Sequence, residues 1–195
     1  MSAMGKGDSA RAANRFDSKG DGVSCSFPPI VDDQAQVLIL GTMPGKMSLE
    51  KSLYYAHPRN DFWRIIYGVF GKEPDPDYNR RVQFLKEHRI ALWDVLAQCK
   101  REGSSDFSIR EERPNGILQW LRGYPGIRAV LFNGQPAEGF YRRFFPKLPR
   151  LRYLTLPSTS PANPSPTKME RWSILRELLK LPPLPPAGER GGGEG

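Results

Sequence analysis

Four short apolar runs recur along the chain and predict the strands of a buried sheet. They span residues 37–41, 90–95, 127–132 and 151–156. Each run is almost continuously apolar instead of alternating with polar residues. This pattern is typical of strands that are covered on both faces of a parallel sheet.

Helical periodicity fills the intervals between these runs. The predicted helices span residues 61–70, 77–88, 114–121, 136–145 and 167–180. The apolar stripe of the last segment consists of Met169, Trp172, Leu175 and Leu179. Thr167 and Glu170 match a capping box at its start. The alternation predicts an α/β fold, a three-layer doubly wound sandwich around a short, mainly parallel four-stranded sheet.

Ligands of such a sheet bind beyond the carboxyl ends of its strands, so the residues that follow each strand are the first candidates for a site. They are residues 41–45, Asp94, residues 133–134 and residues 157–163, and these segments are rich in polar or small residues. Asn133 is a candidate contact of the substrate. Gly134 is interpreted as a turn residue.

The 195 residues, of which 38% are hydrophobic, fit one domain with a sizeable core. Residues 1–24 hold almost no large apolar side chains, and residues 182–195 are dominated by Pro, Gly and Glu. Neither segment can offset its own ordering entropy. We therefore predict two disordered tails around a domain at residues 25–181.

Charge and composition narrow the classes of partner. The net charge is +8, and most of the excess lies in residues 136–180, where Lys and Arg outnumber Glu. This favours a polyanionic partner, although a solvated basic face explains it too. Two Cys and two His cannot form a Cys/His zinc site or a four-thiolate cluster, so we expect no metal and no cofactor. With no apolar run of leader or membrane-span length, we expect a cytoplasmic, nucleoid-associated protein.

The segment Gly41-Thr42-Met43-Pro44-Gly45, here named the glycine loop, has two candidate interpretations. A phosphate-binding loop needs four residues between its glycines and a Ser or Thr after the lysine, whereas three residues intervene here and a Met follows. A Gly-X-X-Pro-Gly turn after the first buried strand instead resembles the first motif of the uracil-DNA glycosylase superfamily, where the loop approaches a flipped nucleotide.

Two further segments extend the resemblance, which covers about residues 37–179. Residues 54–63 read Tyr-Tyr-Ala-His-Pro-Arg-Asn-Asp-Phe-Trp and look like the signature of the hypoxanthine-DNA glycosylases. Residues 156–163 read Leu-Pro-Ser-Thr-Ser-Pro-Ala-Asn and are similar to the superfamily's second motif, which presses into the minor groove. The resemblance implies a monomeric enzyme that excises deaminated bases, chiefly hypoxanthine, from double-stranded DNA and leaves an abasic site.

The resemblance also implies roles for individual residues. Asn60 is the catalytic residue, although its place before Phe62 also suits a helix N-cap. The expected substrate contacts are Gly41, Thr42, Met43, Pro44, Tyr55, His57, Phe62, Asp94 and Asn133. The expected DNA contacts are Ser158, Thr159, Ser160, Pro161, Asn163, Lys168 and Arg171, with Arg142 and Arg143 as further candidates. Met43 stands where several relatives carry an Asp or Asn that activates water, and a thioether cannot do this.

Several of these assignments have alternatives. Tyr55 is a candidate to stack on the extruded base, whereas Trp63 is assigned to the core. His57 before a proline is either an acid or a structural donor in a turn. Asp94 either accepts a hydrogen bond from the base or is satisfied by loop amides. The alternative functions are a uracil or G/T-mismatch glycosylase, and a catalytically silent protein that binds damaged or single-stranded DNA.

Overall fold

A computed structural model describes residues 23–180. The predicted tails at residues 1–22 and 182–195 lie outside the described residues. Val23 and Ser24, which we assigned to the first tail, belong to a strand instead. The strands are β1 (Val23–Cys25), β2 (Val37–Gly41), β3 (Ile90–Asp94), β4 (Leu96–Lys100), β5 (Arg110–Pro114), β6 (Ala129–Asn133) and β7 (Arg152–Leu156). The helices are α1 (Lys46–Lys51), α2 (Phe62–Val69), α3 (Tyr78–Glu87), α4 (Ile117–Arg122), α5 (Gln135–Phe144), α6 (Lys168–Trp172) and α7 (Ile174–Leu178).

The predicted four-stranded sheet is present, and its strands lie in the order β3-β2-β6-β7. All three pairings are parallel. Gly41 is in register with Asp94, and Asn133 with Leu156, so the carboxyl ends of the strands meet at one edge. The α/β fold class is confirmed.

Two separate cores cover the two faces of this sheet. Val37 and Ile39 point to one face, where α2, α3, α6 and α7 supply the other side chains. Leu38 and Leu40 point to the opposite face and pack with side chains of α4 and α5. Because both faces of β2 are covered by apolar groups, the strand has no polar face, which explains its continuous apolar sequence.

A second, antiparallel sheet of order β1-β4-β5 was not predicted. The sequences of β4 and β5, LAQCK and REERP, lack the apolar runs of the first sheet because these strands are only partly buried. The predicted helix at residues 114–121 is wrong at its start, since Pro114 ends β5 and α4 begins at Ile117.

The single helix predicted at residues 167–180 is also wrong. It breaks at Ser173, whose hydroxyl donates to the Glu170 carbonyl at 2.6 Å and so competes with the helical hydrogen bonds. Thr167 makes no side-chain capping bond within the described chain, and Met169 is 37% exposed rather than part of the apolar stripe. Trp172 remains fully buried and donates to the Pro157 carbonyl at 2.9 Å.

Several arginines bind the carboxyl ends of helices, so part of the positive charge has a structural role. Arg128 donates to the carbonyl of Leu178 at 2.7 Å. The other arginines of this kind are Arg89 at Leu179, Arg150 at Leu121 and Arg176 at Val69. A cation at this end of a helix pairs with the unsatisfied carbonyls and with the helix dipole.

We expect Arg128→Met to lower the free energy of unfolding by about 1–2 kcal/mol, because the variant leaves helix-end carbonyls without their cationic donor. Chemical denaturation measures the change. The matched control is Arg113→Met, which removes an exposed arginine of β5 that lies at no helix end. Equal destabilisation by the two substitutions would contradict the capping role.

Candidate functional site

The glycine loop begins where β2 and β3 approach each other most closely. A Cβ atom on Gly41 would lie 2.5 Å from Oδ1 of Asp94 and 3.1 Å from the hydroxyl oxygen of Tyr55. Both distances are shorter than normal contacts, so the absence of a side chain at Gly41 lets the Asp94 carboxyl and the Tyr55 phenol reach the loop.

Asn60 lies half-buried immediately before α2. Asp61 occupies the N-cap position of α2, but Oδ1 of Asn60 accepts a hydrogen bond from the backbone N–H of Phe62 at 3.0 Å and so satisfies one of the unpaired N–H groups at the helix start. An amide oxygen has two lone pairs, and this bond uses one of them. The capping role is therefore compatible with holding a water molecule.

Tyr55 is held in an uncommon conformation. Its φ of 53° lies in the left-handed region, which a bulky residue rarely adopts. Its ring stacks on that of Phe62, with the centroids 3.9 Å apart, and its hydroxyl accepts from Nδ2 of Asn133 at 2.8 Å. Phe62 covers one face of Tyr55, so only the opposite face is available to a base. Trp63 is buried in the core, as predicted.

Asn133 connects two parts of the site. Besides its bond to Tyr55, its Nδ2 donates to Oγ1 of Thr159 at 2.9 Å, and its Oδ1 accepts from the backbone N–H of Thr159 at 2.8 Å. These bonds engage both donors and one acceptor position of the amide. Asn133 therefore positions its neighbours, and its amide has one lone pair left for a substrate.

Residues 158–163, here named the serine loop, are held by short-range hydrogen bonds. The Ser158 hydroxyl accepts from the N–H of Ser160 at 3.2 Å, and Nδ2 of Asn163 donates to the Ser158 carbonyl at 3.1 Å. Thr159 is fully buried, whereas Pro161 is exposed at the tip. The loop thus presents its tip rather than Thr159 to a partner.

Lys168 is buried and already engaged, although we expected it to contact phosphate. Its Nζ donates to Oδ2 of Asp61 at 2.9 Å and to the Ser160 carbonyl at 3.1 Å. Burial raises the pKa of Asp61, but hydrogen bonds from Lys168 and Arg64 outweigh it and hold the pKa below its ordinary value. Lys168 therefore joins the start of α2 to the serine loop. Arg171 is exposed.

His57 has a defined tautomer. Its Nδ1 accepts from the backbone N–H of Arg59 at 3.1 Å. A nitrogen that accepts is not protonated, so the ring proton lies on Nε2. The half-buried imidazole therefore stabilises its own turn through one nitrogen and offers a hydrogen-bond donor through the other.

Asp94 is only 3% exposed, and its Oδ2 has no hydrogen-bond partner among residues 23–180. The nearest loop amides, on Val95 and Leu96, donate to the carbonyls of Gly41 and Thr42 instead. Burial, together with the nearby Asp106 carboxylate, raises the pKa of Asp94 to about 8, against the opposing effect of Arg101. Loop amides therefore do not satisfy Oδ2 of this carboxyl among residues 23–180.

Sequence reasoning missed the segment at residues 101–109, which lies against the glycine loop. Arg101 donates to the Pro44 carbonyl, and Ser104 Oγ accepts from the N–H of Lys46 at 2.9 Å. The side chains of Thr42 and Asp106 are hydrogen-bonded, and Nη1 of Arg101 lies 3.7 Å from Oδ1 of Asp106. A polar stretch with Gly and Ser has the pattern of an ordinary connection, so no local feature marked these residues.

Residues 28–179 match the family model for the uracil DNA glycosylase superfamily. The chain belongs to this superfamily. Two relatives are named hypoxanthine DNA glycosylase: one from Methanosarcina barkeri is 41% identical over 56% of this chain and 70% of its own length, and one from Methanosarcina acetivorans is 39% identical over 70% and 86%. A solution NMR structure from Methanosarcina acetivorans, described as a candidate uracil DNA glycosylase, matches with a TM-score of 0.69 at 34% identity over 80% of this chain and 98% of that one.

Two features of other protein classes are absent from residues 23–180. No three side chains of the metal-binding types come together there to hold an ion. Within the same part of this superfamily member, no helix is long and apolar enough to cross a membrane.

The raised pKa of Asp94 makes the stability of the protein depend on pH. From the ordinary pKa near 4 up to about 8, the folded state keeps a proton that the unfolded state releases, so the free energy of unfolding falls as the pH rises. Asp94→Asn removes this dependence. Compared with the parent, the variant should gain more than about 2 kcal/mol between pH 4 and pH 9, as measured by urea denaturation.

The matched control for this experiment is Asp33→Asn, which changes an exposed carboxylate to the same amide. If the advantage of Asp94→Asn over the parent stays constant across the pH range, the Asp94 carboxyl ionises normally in the folded protein.

Proposed function

We propose that this protein is a DNA glycosylase that extrudes deaminated bases, chiefly hypoxanthine, from double-stranded DNA and hydrolyses the bond between base and sugar. The supporting observation is the Asn60 amide, held at the start of α2 beside the stacked rings of Tyr55 and Phe62. The same ten-residue segment carries the resemblance to hypoxanthine-DNA glycosylases, and two relatives bear that name. The product is an abasic site in an otherwise intact strand.

Hydrolysis of the bond between base and sugar requires electrostatic stabilisation at two positions, the sugar and the departing base. Cleavage of the bond develops positive, oxocarbenium character on the sugar and negative charge on the departing base. Asn60 can orient a water molecule through the free lone pair of its oxygen, but an amide cannot take a proton at neutral pH. Its contribution is positional and electrostatic. Met43 supplies no water-activating group, which places this task on Asn60.

The Asp94 carboxyl provides a physical basis for binding a deaminated purine in preference to adenine. Hypoxanthine carries a hydrogen on ring N1, whereas adenine has a lone pair there. When Asp94 is ionised, its unpartnered Oδ2 accepts a hydrogen bond from N1–H and repels the adenine lone pair. Because the pKa of Asp94 is raised to about 8, this selectivity belongs to the carboxylate form, which becomes the majority form of the free protein only above that pH. Extrusion of the base also costs least for a mispair, which adds to the preference for deaminated bases.

DNA binding is assigned to the surface around the serine loop. The exposed Pro161 lies at the tip, and the exposed Arg171 and the Nε2–H of His57 are candidate phosphate contacts. Lys168 supports this surface indirectly: it is buried, and its ammonium group bridges Asp61 and the serine loop instead of contacting phosphate. The protein acts as a monomer on chromosomal DNA in the cytoplasm.

We expect Asn60→Ala to abolish most excision of hypoxanthine and also to destabilise α2 by about 1 kcal/mol, because it removes the cap. Asn60→Ser separates the two roles. A serine caps as well as an asparagine but does not reach a substrate-bound water in the same way, so it should restore stability without restoring activity. Thermal melting and single-turnover kinetics measure the two quantities. If Asn60→Ser recovers the parental rate, Asn60 serves only as a cap.

The proposed substrate is tested with duplexes that carry inosine, uracil, xanthine or mispaired thymine, followed by alkali treatment to reveal abasic sites. Because residues 54–63 resemble the hypoxanthine-type signature and Met43 replaces the water-activating residue of other relatives, inosine should be released at least about tenfold faster than uracil, or about 1.4 kcal/mol of barrier. Asn60→Ala protein, purified in parallel, controls for contaminating glycosylases. Equal or faster release of uracil would refute the preference, and binding without any cleavage would identify a silent DNA-binding protein.

A further inference from the structure

Lys168 forms a buried ion pair close to the serine loop. Its side chain is 7% exposed, and its Nζ lies 2.9 Å from Oδ2 of Asp61. A buried ion pair is weak evidence for stability, because apolar side chains of similar volume are often equally stable in its place. The second bond of the ammonium group, to the Ser160 carbonyl at 3.1 Å, indicates a role in the loop instead.

The bond to Ser160 controls the tip of the serine loop. The Ser160 carbonyl belongs to the planar peptide bond that leads into Pro161, so a hydrogen bond to this oxygen orients the peptide plane and, with it, the proline ring. Pro161 and Ala162 are the exposed residues of the tip. The N–H of Asn163 also donates to the Ser160 carbonyl, at 3.0 Å, but Asn163 belongs to the same loop. Lys168 is what connects this peptide to the body of the protein.

Asp61 supplies the fixed end of this connection. It is the N-cap residue of α2 and is followed by Phe62, which is fully buried in the core. The backbone N–H of Asp61 donates to the Thr159 carbonyl at 3.0 Å, one residue before Ser160. Lys168 therefore extends the support of the loop from Thr159 to Ser160, toward the tip, and anchors it to a helix that the core holds in place.

We propose that Lys168 is a positioning residue for base extrusion: without contacting DNA, its ammonium group holds the Ser160–Pro161 peptide in place while the loop tip presses on the duplex and keeps the base out of the stack. This inference rests on the proposed glycosylase function. In a duplex, extrusion has to overcome pairing and stacking, whereas a base in a single strand is already unpaired. Lys168 should therefore matter for inosine in a duplex and much less for inosine in a single strand.

The test measures single-turnover release of hypoxanthine from two substrates, an inosine duplex and the same inosine strand alone. Lys168→Met keeps a long side chain and removes the ammonium group. Asp61 retains Arg64 as a partner at 2.8 Å, so its carboxylate is not left without a cation. We expect the ratio of the duplex rate to the single-strand rate to fall about tenfold or more below that of the parent. Lys180→Met, which removes an exposed lysine after α7, should keep the parental ratio.

The ratio of two rates in one preparation does not depend on the folded fraction. A variant that only loses stability therefore keeps the parental ratio, and this result for Lys168→Met would overturn the inference. If Lys168→Met does not fold, Asp61→Asn takes its place. This variant keeps an acceptor for the ammonium group but removes the opposite charge, so it should lower the ratio by a smaller factor, and an unchanged ratio counts against the inference in the same way.

Extrusion is also followed directly, with 2-aminopurine placed beside inosine in the duplex, because its fluorescence rises when the neighbouring base leaves the stack. At saturating protein, Asn60→Ala should raise the fluorescence as much as the parent does, since it lacks only the chemical step, whereas Lys168→Met should raise it less. An equal rise with Lys168→Met would show that the lysine has no part in extrusion. This measurement decides the matter if the parent releases no base from the single strand. A parent that releases hypoxanthine from neither substrate refutes the proposed function itself.

Discussion

The close approach of three elements at Gly41 determines the rest of the site. Parallel pairing in register brings the end of β2 beside the end of β3, and the missing side chain of Gly41 leaves room for Asp94 and Tyr55. Any Cβ there would displace the carboxyl group or the phenol. The carboxyl of Asp94 would have to shift, and the hydroxyl of Tyr55, which accepts from Asn133, would have to move slightly.

A continuous set of hydrogen bonds extends from this point to the DNA-binding side. Tyr55 bonds to Asn133, which holds Thr159 of the serine loop, and the carbonyl of Thr159 accepts from the N–H of Asp61 at 3.0 Å. Lys168 closes the set by bridging Asp61 and Ser160. Because Asp61 follows Asn60 directly, the serine loop, which we propose to contact DNA, and Asn60, which we propose to be catalytic, are joined by the same hydrogen bonds.

The sequence predicted the features that depend on neighbouring residues. The four apolar runs locate β2, β3, β6 and β7 because complete burial leaves no polar face, and the rule for strand ends found Asp94. The antiparallel sheet was missed since its strands are partly exposed and carry no apolar period. The break at Ser173 follows from one side-chain hydrogen bond that periodicity cannot detect.

Contacts between distant segments account for the remaining misses. Lys168 has the composition of a phosphate contact, but its partner Asp61 lies 107 residues away in the chain. Arg101 is 57 residues from Pro44, so nothing in the local sequence connects it with the glycine loop. Basic residues that cap helices add to the net charge in the same way as basic residues that bind DNA, and only the fold separates the two groups.

Catalysis and base recognition are assigned to opposite sides of the glycine loop, and they differ in their energetics. On the side of Asn60, the polar groups described above are paired, and the resulting rigidity positions the reacting atoms before substrate arrives. On the side of Asp94, Oδ2 of the buried carboxyl makes no hydrogen bond among residues 23–180, and the two apolar cores offset the cost of leaving it so. Under the proposed function, a base that carries a ring N–H would satisfy Oδ2 of the ionised Asp94, whereas adenine would leave this atom without a partner. Discrimination would then arise mainly from the penalty that a wrong base fails to remove, because an unsatisfied buried polar group costs more than one ordinary hydrogen bond contributes.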